Sequence, residues 1–210
     1  MVSGMPDYVL ERTTTEMFEE GPQIPRNLWT ATENDYKAAL SAMRIFKPGK
    51  VYPDQLFLFA GSQFVGIMGP ARIPNILFER YSLDMSETAN LKLLHNRILG
   101  ISDPSLVLSL RWFEKYYDEP ELEDELIDIM VAFEALIQVN ATEKGETISI
   151  AISMLVGKEM KERQVIKDTL AKSYTLRNHI IHGTGKKIKV SSELVETVAD
   201  YFRQSFKRFI

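Results

Sequence analysis

The sequence predicts a mainly helical protein, a bundle of helices behind a small mixed α/β region at the N-terminus. Three observations carry this. From about residue 86 onward, apolar residues recur at spacings of three and four in one segment after another. Capping residues, prolines and glycines separate those segments by short connections, which favours antiparallel neighbours. The short apolar runs bounded by turn residues fall before residue 85. The chain therefore divides into a cap region, 1–85, and a bundle, 86–210.

Residues 1–30 carry Pro6, Gly21, Pro22 and Pro25 and read as irregular. A helix is expected over 33–46. Thr32 is its N-cap, Asp35 follows three residues on, and Tyr36, Leu40, Met43 and Phe46 keep helical spacing. Lys47-Pro48-Gly49-Lys50 ends it. Gln55–Ala60 and Phe64–Met68, separated by Gly61-Ser62-Gln63, read as a β-hairpin, and Ile73–Tyr81 as a further strand. The glycines here read as turn and bulge residues, since no glycine run leads into Lys-Ser or Lys-Thr as a phosphate loop requires.

In the bundle, Leu91, Leu94 and Ile98 form the first stripe, which Gly100 ends. Leu106, Leu110, Phe113 and Tyr117 form the second. Asp118-Glu119-Pro120-Glu121 is read as the start of a third helix, with a cap candidate, a first-turn proline and acids favoured by the helix dipole. Its core stripe is Leu122, Leu126, Ile129, Met130, Phe133 and Leu136 or Ile137. Thr147–Val156 fits a strand or a helix; Ile148, Ile152 and Leu155 and the helical neighbours favour helix. The next helix spans about Lys158–Ile181, with Ile166, Leu170, Tyr174, Arg177 and Ile181 on one face and Gly183 and Gly185 as the stop. Residues 184–191 form a basic loop. Ser192 caps a last helix with Val195, Val198, Tyr201 or Phe202, and Phe209 on its apolar face.

The chain has 210 residues, 45% of them hydrophobic and 26% charged, as expected of a globular protein with one good-sized core. Without cysteine there is no disulfide, thiol nucleophile or cysteine-held metal. No signal-like or membrane-length apolar run is present, so the expected location is the cytoplasm. A net charge of −4 would argue against nucleic acid, but the charge is uneven. Residues 118–146 carry ten acidic side chains and one lysine; residues 156–210 carry twelve basic and six acidic. Either these are solvated faces that attract each other, or the basic half supplies a local field for a phosphate backbone.

That half contains Arg177-Asn178-His179-Ile180-Ile181-His182-Gly183, two of the three histidines beside an arginine and an amide. A histidine, titrating near neutrality, can take the proton of a ribose 2′-OH. An arginine can hold the phosphoryl oxygens as charge builds on them. Asn178 can orient the histidine or bond the phosphate. The cluster holds no carboxylate for a metal, and neither metal nor cofactor is expected. On a straight helix Arg177 and His182 lie about 140° apart. The pair can meet if the helix ends near Ile181, or if a second copy supplies the partner across a two-fold axis. The plainer alternative is that arginine and histidine bond the free carbonyls of the last turn. His179 faces elsewhere, and His95 is structural. Glu134, in the apolar run Val131–Ile137, needs a partner, and Arg177 or Arg111 can supply one.

Arg111-Trp112-Phe113-Glu114-Lys115, the acidic helix start, Leu126–Ile137 with its Phe133-Glu134-Ala135-Leu136, and Tyr174-Thr-Leu-Arg-Asn-His-Ile-Ile-His-Gly183 together resemble the HEPN superfamily, in particular its Apea-like branch, over roughly residues 88–210. The resemblance implies an up-and-down helical bundle, a homodimer, and a composite site where two motif copies meet. It implies a metal-independent endoribonuclease of toxin–antitoxin, phage-defence or RNA-processing systems, although other members only bind. Carried over, Arg177 and His182 are the catalytic pair, Asn178 assists, and Glu134 and Tyr174 support them from behind. RNA is the expected partner, met also by Lys186, Lys187 and Lys189, and an antitoxin or regulatory protein is a possible second one. Some family toxins have a modifiable tyrosine two residues after the histidine; Thr184 stands there, which argues against that partnership. The alternative is a non-catalytic bundle that binds RNA or a protein.

Overall fold

The computed structural model describes residues 26–49, 51, 56–60, 63–68, 81–138, 143–183 and 189–210. Among them the chain is mainly helical. The helices are α1 Arg26–Phe46, α2 Thr88–Leu99, α3 Pro104–Lys115, α4 Leu122–Ile137, α5 Lys144–Val156, α6 Met160–His182 and α7 Ser192–Phe209, and one 3-10 turn, Met85–Glu87, leads into α2. Strands β1 Leu56–Ala60 and β2 Gln63–Met68 form the expected antiparallel hairpin, with Leu56 opposite Met68 and Ala60 opposite Gln63 and a bulge at Leu58–Phe59. The further strand expected over Ile73–Tyr81 lies outside the described residues except for Tyr81, which is in no strand. No described helix is long and apolar enough to cross a membrane.

The core follows the apolar stripes. Leu94 and Ile98 of α2, Phe113 of α3, Leu126, Ile129, Met130, Phe133 and Leu136 of α4, Ile148 and Ile152 of α5, Ile166 and Leu170 of α6, and Val195, Val198 and Phe202 of α7 join one cluster. Phe202 stacks on Phe113 with ring centroids 4.4 Å apart and meets Phe133 edge-on at 5.3 Å. α1 lies on the N-terminal side of the boundary expected at residue 85, yet its Ala38, Ala42 and Ile45 belong to the same core, and it packs on α2, α3 and α7. His95 reaches from α2 to Asp35 of α1, 3.2 Å from its carboxylate, a tether between helices.

Several boundaries differ from those read in the sequence. α1 starts at Arg26, and Thr32 is inside it. Without a proline or glycine between 26 and 46, nothing breaks the helix ahead of the cap candidate. α4 starts at Leu122, because Asp118 closes the end of α3: its N–H bonds the Lys115 carbonyl at 2.9 Å, and Pro120 stays outside the next helix. Ser191, not Ser192, caps α7, its hydroxyl accepting from the Leu194 N–H at 3.3 Å. Thr147–Val156 is helical within α5, with Val156 rather than Leu155 buried, four residues past Ile152. In α6, Ile181 is 47% exposed and Ile180 packs on the core instead; in α7, Phe209 is 44% exposed and Phe206, four residues after Phe202, takes its place.

Candidate active site

α6 carries the cluster to its last turn. Arg177 and Asn178 lie one turn before the end, and the helix runs through His182. It stops at Gly183, whose backbone is left-handed (φ 59°, ψ 56°), a conformation that glycine adopts without steric cost.

Glu134 of α4 faces this turn. Its Oε1 lies 3.3 Å from Arg177 Nη2, and each side chain is only 19% exposed. The approach is a charge contact outside hydrogen-bond geometry: Glu134 Oε1 and Arg177 Nε are buried with no hydrogen-bond partner among the described residues. The other carboxylate oxygen lies 3.6 Å from Lys144 Nζ in the first turn of α5. Arg177 Nη1 donates to Asn178 Oδ1 at 3.1 Å, and the guanidinium lies over the Tyr174 ring, 5.6 Å from its centroid. Burial and then the negative charge of Glu134 raise the Tyr174 phenol above its ordinary range, so it stays protonated near neutrality. Of the two partners expected for Glu134, Arg177 is the one present; Arg111 is exposed on α3.

Four expected site residues are therefore brought together: Glu134, Tyr174, Arg177 and Asn178. His182 is not among them. It stays in helical phase, five residues past Arg177 and so about 140° around the axis, and it is exposed. His179 is exposed as well. Lys189 is exposed; Thr184, Lys186 and Lys187 lie outside the described residues.

The structure adds residues that periodicity does not reveal. Lys144 is a second cation beside Glu134, after Arg177. Gly145 permits the first turn of α5 to close on Tyr174, since a Cβ there would stand 2.4 Å from Tyr174 Cδ1. Beside Asn178, between α5 and α6, opens a cleft of about 540 Å³ lined in part by Lys144, Gly145, Glu146, Lys167 and Tyr174. The basic balance of the C-terminal half also needs adjusting, because Arg203 is fully buried and adds nothing to surface contacts. Among the described residues no three His, Asp or Glu side chains gather as metal ligands would. No family model, curated protein or solved structure matches this chain.

Proposed function

We propose that this chain is a metal-independent endoribonuclease of the HEPN type, acting as a homodimer in a defence, toxin–antitoxin or stress setting. The observation that carries the reading is the Arg177 guanidinium. It is paired with Glu134, bonded to Asn178 and set beside an open cleft, with His182 free on the following turn. A fixed guanidinium suits phosphate because its geometry is set before charge develops.

In this mechanism the imidazole of His182 takes the proton of a ribose 2′-OH. The 2′ oxygen attacks the adjacent phosphorus, Arg177 holds the phosphoryl oxygens, and the bond to the 5′ oxygen breaks as that oxygen takes a proton from water, while the imidazolium returns its proton to the solvent. The products are a 2′,3′-cyclic phosphate and a 5′-OH. Helix phase separates Arg177 from His182 in one chain, so the reading requires His182 from a second copy.

The test is cleavage of a pool of end-labelled structured and unstructured RNAs in EDTA. Wild type is expected to cut and leave cyclic phosphate ends, and His182→Ala is expected not to. Equal cutting by both would sink the mechanism. The same separation of Arg177 and His182 favours a second reading, a non-catalytic bundle that binds RNA or a protein partner. Absence of cutting by a dimeric wild type would select it.

A further inference from the structure

We propose that the cleft between the first turn of α5 and α6 is a nucleotide subsite, in which Lys144 and Lys167 engage a phosphate and Glu146 accepts from the N–H edge of a guanine. As the pocket for the nucleotide next to the scissile phosphate, it rests on the nuclease reading; as a binding site, it does not.

The cleft is open to solvent and has a volume of about 540 Å³, comparable to that of small-ligand sites. It opens onto the arginine, because Asn178 lines it and accepts from Arg177 Nη1 at 3.1 Å. Tyr174 is the aromatic residue of its lining. Its ring stands close to α5 only because position 145 is glycine.

Its charged lining residues are Glu143, Lys144, Glu146 and Lys167, two carboxylates and two ammonium groups. Lys167 is half-buried, and no described residue forms an ion pair with it. Lys144 lies 3.6 Å from Glu134, a loose contact that leaves its ammonium donors for a second anion. Glu146 is exposed at the rim with no described ion-pair partner. A carboxylate only accepts hydrogen bonds, so it repels phosphate and favours a base edge with N–H groups side by side. Guanine offers two such donors; uracil offers one N–H between two carbonyls that a carboxylate repels.

The test uses the full chain and labelled 2′-O-methyl octamers, one all uracil and one with a single guanine. These cannot undergo 2′ attack, so fluorescence anisotropy reads binding alone. Wild type is expected to bind the guanine octamer about fivefold more tightly. Lys167→Ala should weaken both by about fivefold and reduce the slope of log affinity against log salt by about 0.7, the value for one phosphate contact on a single strand. Lys161→Ala removes the same charge from an exposed site on α6 outside the cleft and should leave binding within about twofold. Glu146→Gln should abolish the guanine preference.

Absence of wild-type binding overturns the proposal. So does a Lys167→Ala that matches Lys161→Ala, or a base preference that Glu146→Gln leaves intact. Cutting of ordinary RNA separates the two readings. A chain that cuts but ignores Lys167 keeps the nuclease and loses the subsite. One that binds through Lys167 and Glu146 without cutting does the reverse.

Discussion

Glu134 on α4 and Arg177 on α6 face each other at 3.3 Å with four-fifths of each side chain covered. Neither would be left there alone: an ionised carboxylate or guanidinium out of water needs its opposite. Such a pair contributes little net stability, since desolvation offsets the attraction, but it fixes where the guanidinium sits.

Glu134→Gln keeps the shape and removes the charge. Under the proposed nuclease reading it is expected to lower kcat for RNA cleavage by about tenfold or more, with KM within about twofold, because the arginine loses orientation while the rest of the surface around it is kept. Chemical denaturation should show a loss of about 1–3 kcal/mol, the cost of leaving Arg177 covered and unpaired. Unchanged kcat in the folded variant would reduce Glu134 to a purely structural role.

The helix phase of His182 makes the proposed composite site of a homodimer directly testable. Arg177→Ala and His182→Ala should each be inactive. Mixed in equal amounts and allowed to exchange subunits, they should recover about a quarter of wild-type activity. About half of the dimers are then mixed, and in each mixed dimer one of two sites has both residues. His182→Ala should also melt within about 0.5 kcal/mol of wild type, as an exposed residue at a helix end. Mixtures that stay inactive would show that one chain must supply both groups.

The sequence carried the bundle well because apolar spacing is local information. The stripes of α2 and α4 need only their own segment to be read, whereas Thr147–Val156 needed its helical neighbours as well, and Glu134 stood out as the one acid in an apolar run. What stayed hidden depends on distant parts of the chain. Arg203 follows Phe202 and reads as a surface residue, yet it is fully buried. Its Nε donates to the Arg44 carbonyl at 2.9 Å and its Nη2 to the Tyr117 phenol at 3.1 Å, partners 159 and 86 residues away. Lys144 stands only ten residues after Glu134, but it belongs to the next helix, and their contact depends on how α5 packs against α4. The end of α6 was a matter of one residue: Gly183 marks a stop in the sequence, but the left-handed turn begins at the glycine itself, so His182 keeps its helical phase.

Gly145 sets the distance between α5 and Tyr174. In an exposed helix, glycine to alanine gains up to about 1 kcal/mol from propensity. Here the new Cβ would lie 2.4 Å from Cδ1 and 2.7 Å from Cγ of the Tyr174 ring, atoms near the root of a stiff side chain. Displacing the ring should cost about 1–3 kcal/mol, more than the propensity gain. Gly145→Ala is therefore expected to lower the unfolding free energy, and Gly145→Ala with Tyr174→Ala should recover the propensity gain relative to Tyr174→Ala alone. Equal stability of Gly145→Ala and wild type would mean that the helix turn and ring move apart freely.

Asp128, on α4, gives a pH dependence with a definite sign. Its side chain is 3% exposed, and Lys115 Nζ is 3.1 Å from each of its oxygens. Burial raises its pKa from 3.8 to about 6, and the opposing pull of Lys115 only limits the rise. The folded state then holds this proton more tightly than the unfolded chain. The stabilising contribution is fully present below pH 3.8 and is lost as pH rises through about 6. Asp128→Asn has no such proton to release. The stability of wild type relative to Asp128→Asn should therefore improve as pH falls from 7.5 to 4.5, by on the order of 1 kcal/mol. Urea unfolding of both proteins at the two pH values measures it directly. A constant difference between them would show that Lys115 compensates fully for the burial, and an opposite trend would show that the ion pair outweighs it.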